Sequence, residues 1–140
     1  NFFMYILFGN EIVDSEEIKD IIEGQTPFRV DKDLSKGSKR EDTIGFQISI
    51  DIEELNNIIK EEYELNDMEN EELFDEYMIL TDEIGVDLEE LMPEGAILNV
   101  RSYKWDNSED RIKAVVAVVP EELGEMKLMD ITKRLLTQVD

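Results

Sequence analysis

Carboxylates are by far the most abundant side chains in this chain that could do acid–base or metal chemistry. Its 140 residues include 36 Asp and Glu, no His and no Cys. Serine–histidine and cysteine–histidine catalysis are therefore impossible within the chain, and the usual proton shuttle at neutral pH is missing. Without Cys there is also no disulfide framework and no thiolate metal site. No two of the seven glycines stand at the spacing of G-x-G-x-x-G or G-x-x-x-x-G-K-[ST], so neither kind of phosphate cradle is supported. A carboxylate pair, alone or with a divalent cation, is what remains for catalysis. With 36 acids such pairs arise by chance and carry little information. The expectation is a protein that is not an enzyme.

One spacing tests for a metal. Asp106, Ser108 and Asp110 match the first three ligand positions of a calcium loop. Arg111 then stands where the sharp turn needs glycine, and Ala117 stands where a bidentate Glu is required. The stretch reads as a solvated hairpin loop, with no metal and no cofactor expected.

The charge is unevenly placed. The net charge is −22, and residues 51–94 hold 18 acids against the single base Lys60, a net −17. Ordinary solubilising helix faces mix Glu with Lys four residues apart, and each such pair adds a few tenths of a kcal/mol. This segment forgoes them. Folded as a helical hairpin, it would span roughly 33 Å. Its net charges would then come about one per 2 Å, against about one per 1.7 Å in duplex DNA. Crowding of this kind predicts stability that rises with salt and on mild acidification. A field of this sign repels nucleic acid and anionic membrane and attracts cationic partners. The local basic cluster, Lys32, Lys36, Lys39 and Arg40, has no interleaved aromatic residue. It reads as a flexible loop rather than a nucleic-acid site.

The elements that must position these side chains follow from periodicity. "FFMYILFG", from Phe2, reads as a strand buried on both faces and ended by Gly9. "DSEEIKDIIEG" is a helix capped by Asp14, with Ile18, Ile21 and Ile22 inward. "TPFRV" is a second strand. "TIGFQISID" alternates strictly, with Ile44, Phe46, Ile48 and Ile50 on one face. Asp51 and Glu54 suit a capping box before a helix with Ile52, Leu55, Ile58, Ile59 and Tyr63 inward. "ENEELFDEYMILTDEIG" is another helix, with Leu73, Tyr77, Leu80 and Ile84 on its inner face and Gly85 as its stop. "AILNVRSYKW" and "RIKAVVAVV" form a hairpin, and the second, apolar on both faces, belongs in the middle of the sheet. "LMDITKRLLTQV" is a last amphipathic helix.

The expected order is β-α-β-β-α-α-β-β-α. This is one α+β domain over residues 1–140, with a mostly antiparallel sheet of about five strands, helices packed on one face, and an acidic helical segment at 51–94.

Function is then read from the acidic face and from the only tryptophan. Trp, Tyr and Arg are enriched at binding hot spots, and "SYKW" sets Trp105 beside Tyr103 near a hairpin tip. The expected partner-binding residues are Glu64, Asp67, Glu71, Glu72, Asp75, Glu76, Asp82, Glu83, Tyr103 and Trp105. They suit a non-catalytic module that binds a basic protein, most simply an inhibitor or antagonist of one that acts on nucleic acid. The alternatives are an immunity-type or regulatory partner of one cationic protein, or an assembly subunit of a larger complex, which would show unexplained apolar surface. No direct nucleic-acid binding and no membrane partner are expected. A cytoplasmic location is expected too, since the longest apolar run is far too short to span a bilayer and has no basic residues before it.

Overall fold

The computed structural model of the protein describes residues 5–140. In chain order the elements are β1 (Tyr5–Phe8), β2 (Glu11–Asp14), α1 (Ser15–Gln25), β3 (Arg29–Asp33), β4 (Ile44–Asp51), α2 (Ile52–Ile59), α3 (Asn70–Val86), β5 (Ala96–Asp106), β6 (Arg111–Pro120) and α4 (Glu125–Leu136). Short 3-10 turns lie at Ser35–Ser38, Leu65–Asp67, Asp87–Leu91 and Glu121–Leu123. Four strands form an antiparallel sheet in the order β3-β4-β6-β5, and β1 pairs with β2 in a separate hairpin. The α+β, antiparallel, single-domain reading holds. Among the described residues no helix is long and apolar enough to cross a membrane.

The helices divide between the two faces of the sheet rather than sharing one. The cause lies in β6, whose two faces are both apolar. Ile112, Ala114, Val116 and Val118 join Ile44, Phe46, Ile48 and Ile50 of β4 in a core that also takes Ile18 and Ile22 of α1, Ile52, Leu55 and Ile59 of α2 and Tyr77 of α3. Val115, Ala117 and Val119 point the other way, into a smaller core with Leu128, Ile131 and Leu135 of α4. Leaving that second face to water would expose a row of buried-type side chains, so α4 must cover it. Gly45 permits the close approach, because a Cβ there would come 2.8 Å from Cδ1 of Leu135.

Other differences are local. The chain has a strand that periodicity did not register, since "EIVD" is too short and polar to stand out. Gly9 at φ +58 turns β1 back onto it. β1 is consequently half-exposed, not buried on both faces. Ile6 and Phe8 point inward, and Tyr5 and Leu7 point out; Phe2–Met4 of the expected strand lie outside the described residues. Tyr63 falls past the end of α2 and is exposed. The Lys32–Arg40 stretch is not a free loop. Its 3-10 turn buries Ser35 and Ser38, and Gln138 Nε2, just past α4, donates to Gly37 O at 2.8 Å. Gly85 is no helix stop either. It is buried in the last turn of α3, where a Cβ would lie 2.7 Å from Cγ1 of Val100 on β5.

The two outer strands carry unpaired backbone donors, and acids meet several of them. Glu23 accepts from the Val30 N–H at 2.8 Å on the β3 edge. On the β5 edge, Asp82 accepts from Ser102 N–H at 2.8 Å and Glu89 from Leu98 N–H at 3.1 Å. A charged side chain on an edge satisfies the donor and discourages strand addition by a second chain. Part of the acidic composition thus has structural work.

Candidate functional site

The site is built on the first two turns of α3. Glu69 and Glu72 form a reciprocal capping box there, with Glu69 N–H donating to Glu72 Oε1 at 3.4 Å. Acids in a first turn also face the positive end of the helix, a contribution of about 0.3–1 kcal/mol each. Asn70 and Phe74, and likewise Glu71 and Asp75, are four residues apart and stack on one side of the helix. That side meets the end of the β5–β6 hairpin. Asn70, Glu71, Phe74, Asp75, Trp105 and Asn107 together line an open cleft of about 470 Å³.

The cleft walls are held from behind. Trp105 meets Tyr77 edge to face, and Tyr77 Oη donates to Asn56 Oδ1 of α2 at 2.5 Å. The hairpin turn is fixed by Asp106, whose Oδ1 accepts from Ser108 N–H at 3.0 Å, Ser108 Oγ at 2.7 Å and Glu109 N–H at 3.1 Å. These bonds hold the Asp106 carboxyl below the usual range, the Ser108 hydroxyl foremost. The same bonds explain the stretch that resembles the start of a calcium loop: its first carboxylate is engaged in building the turn.

Three of the ten residues singled out from sequence come together in this cleft: Glu71, Asp75 and Trp105. Glu64, Asp67, Glu72 and Glu83 are exposed elsewhere on the acidic segment, and Glu76 is half-buried. Asp82 is turned inward to Ser102. Tyr103 is on the opposite face of the sheet from Trp105. Strict alternation would put the two on one face, but the β5–β6 register shifts between Ser102 and Lys104, and the extra residue reverses the side on which Trp105 emerges. Tyr103 instead packs towards the α4 core and accepts from Gln47 Nε2 at 2.7 Å. Burial raises its phenol pKa, against the smaller opposite effect of the Gln47 bond.

Near Tyr103 the α4 face of the sheet closes with an ion network. Lys113 Nζ lies 3.1 Å from Asp31 Oδ2 and 2.9 Å from Glu109 Oε1, and Arg29 reaches Asp31 and Glu109 at 2.5 and 3.0 Å. Burial works against the Lys113 ammonium, but its hydrogen bonds to Glu109 and Asp31 hold its pKa above the ordinary value. Every charge in this network is answered within it, so it reads as a structural closure.

Sequence reasoning missed Phe74, Asn70 and Asn107. Phe74 had a signal: a large aromatic side chain off the inner stripe of the helix, flanked by acids, and 41% exposed. The chemistry of this lining suits a cation. Two carboxylates supply charge, and the rings of Phe74 and Trp105 supply apolar area and π faces, with each cation–π contact adding about 0.5–2 kcal/mol. Residues 51–94 do not form one continuous helical hairpin, because turns and a loop separate the short α2 from α3. Six acids (Glu71, Glu72, Asp75, Glu76, Asp82 and Glu83) lie along the 17 residues of α3, about one per 4 Å of axis. The others are spread over α2, turns and loops.

The chain shows no significant match to any protein-family model, curated protein or solved structure.

Proposed function

We propose that this protein is a non-catalytic binding module that seats a Lys or Arg side chain of a basic partner protein in the cleft between α3 and the β5–β6 hairpin, and inhibits that partner by occupancy. The observation that carries this reading is the convergence of Glu71, Asp75, Phe74 and Trp105 on one open cleft. The surrounding net charge of −22 steers a cationic surface towards it, and the aromatic walls give the short-range grip that steering alone lacks. An immunity-type role uses the same cleft with a single partner. Competition with nucleic acid for the partner separates it from general antagonism of nucleic-acid-acting proteins.

Calorimetric titration with a short arginine peptide at low and moderate salt tests the proposal. Glu71→Gln with Asp75→Asn should weaken binding about tenfold or more, as expected for lost charge-assisted contacts. Glu121→Gln with Glu122→Gln, the same charge change outside the cleft, should do much less. Equal losses from both pairs would mean that only net charge matters, and the cleft reading would fall.

A second reading, assembly into a larger complex, has one observation in its favour. Tyr5, Leu7 and Ile12 make an exposed apolar strip on the outer face of the β1–β2 hairpin, with Leu7 directly opposite Ile12. Sedimentation of the Leu7→Ser, Ile12→Ser protein beside wild type tests self-association through that strip.

A further inference from the structure

The bases that the acidic segment lacks are gathered partly on the other side of the sheet. Lys39 and Arg40, after the Ser35–Ser38 turn, face Lys127 and Arg134 of α4 across a concave site of about 320 Å³, which Ser38, Asp130 and Ile131 complete. Four bases meet one acid there, in a chain of net charge −22. Arg40 is occupied, since its Nε and Nη2 donate to the two oxygens of Asp42 at 2.9 and 3.1 Å. Burial pushes the Asp42 carboxyl up, yet the Arg40 contact brings it below the ordinary value. Among the described residues, Lys39, Lys127 and Arg134 make no ion pair within 4.0 Å. Lys39, Lys127 and Arg134 are exposed, share one hollow in which Asp130 is the one acid, and repel one another. An anion between them would remove that cost.

The hollow is also built rather than fluctuating. Lys39 sits at φ 59, with its N–H donating to Lys36 O at 3.1 Å. Ser38 Oγ donates to Ser35 O at 2.7 Å and accepts from Arg40 N–H at 3.2 Å. Ser35 in turn takes the Gly45 N–H on its Oγ at 3.1 Å, and its own N–H donates to Asp33 Oδ1 at 2.8 Å. The Gln138–Gly37 bond ties this wall to the end of α4. The wall that carries Lys39 and Arg40 is therefore set in the free protein, while the exposed side chains of Lys39, Lys127 and Arg134 are ordered when an anion binds.

We propose that this hollow binds a compact phosphorylated small molecule, of the size of pyrophosphate or a sugar phosphate. Its volume is at the low end for ligand sites, and three unpaired cations suit one or two phosphoryl groups. A nucleotide fits less well. No aromatic side chain lines the hollow, so a base would have nothing to stack on, and Ile131 is its only aliphatic wall. The site is independent of the acidic cleft, because α4 and α3 pack on opposite faces of the sheet.

Isothermal titration with inorganic pyrophosphate, fructose bisphosphate and AMP, in about 150 mM salt to screen loose surface pairing, tests this. Pyrophosphate or the sugar phosphate should bind, with AMP much weaker. Lys127→Gln and Arg134→Gln should each weaken binding about tenfold. Lys133→Gln, an exposed base on α4 outside the hollow, should leave it unchanged. No heat from either ligand at millimolar concentration would overturn the proposal. So would an equal loss in the Lys133→Gln protein, which would indicate diffuse attraction. AMP binding as tightly as pyrophosphate would overturn the assigned ligand class. Circular dichroism of each variant separates loss of binding from loss of fold.

Discussion

Tyr77 and Trp105 meet edge to face, with ring centroids 5.1 Å apart and planes at 86°. This pair joins the acidic helix to the hairpin and so sets the shape of the cleft. Tyr77→Phe keeps the ring contact but leaves Asn56 Oδ1 without its donor, and should cost about 0.5–1.5 kcal/mol in urea unfolding. Tyr77→Leu also removes the ring contact, adding about 0.5–1.5 kcal/mol, and should change the emission of Trp105, the only tryptophan. Unchanged emission in Tyr77→Leu would show that something else holds the indole.

Gly85 brings α3 close to β5. A methyl group there would meet Cγ1, Cγ2 and Cβ of Val100 at 2.7, 2.8 and 3.0 Å, so rotation of Val100 cannot clear it. Gly85→Ala should therefore destabilise the protein by about 1–3 kcal/mol, despite the better helix propensity of Ala. Val100→Ala in the same chain should recover part of that loss. A stabilised Gly85→Ala protein would mean that the helix shifts at little cost.

Asp82 should behave as a structural acid. Asp82→Ala leaves the Ser102 N–H of the β5 edge without its carboxylate and should cost about 1–3 kcal/mol. Hydrogen exchange at Ser102 should speed up in that variant. Glu83→Ala, one residue on and exposed, serves as the comparison and should change neither quantity.

The pH dependence follows from three carboxyls. Asp42, Asp106 and Glu109 are all held below their ordinary range, Glu109 chiefly by the Lys113 ammonium. When folded pKa values are lower than unfolded ones, the unfolded chain takes up protons first as pH falls. Their contribution is thus present above the unfolded values, about 4, and is lost as pH drops through the folded ones. Denaturation midpoints should stay level from pH 7 to 5 and fall below about 4. The crowding argument from sequence points instead to a rise towards pH 5. Such a rise would show that repulsion within residues 51–94 outweighs these three groups.

Much of the fold was legible because hydrophobic period is a local property. Strict alternation from Ile44 to Ile50 marked β4, and two-sided apolarity placed β6 in the middle of the sheet. The layer on which α4 packs was not legible, although the same two-sided pattern of β6 implies a second cover. The site was legible only in part. Glu71, Asp75 and Trp105 could be named from charge and residue type. Their meeting depends on a one-residue bulge near Tyr103 and on the docking of α3 against β5 at Gly85, and neither leaves a mark in local pattern. The hollow beside α4 was hidden for a like reason. Lys39 and Lys127 are far apart in sequence, and only the fold of the Ser35–Ser38 turn onto α4 unites them.

The central claim is that the cleft, and not the acidic surface as a whole, receives a cationic side chain. The most direct measurement is a residue-resolved amide NMR titration with a short arginine peptide at moderate salt. Shifts should centre on Asn70–Asp75 and Trp105–Asn107, with the indole N–H of Trp105 among the largest, and should vanish in Phe74→Ala with Asp75→Asn. Shifts spread evenly over the acids of residues 51–94, or centred on Glu121–Glu125, would contradict the account.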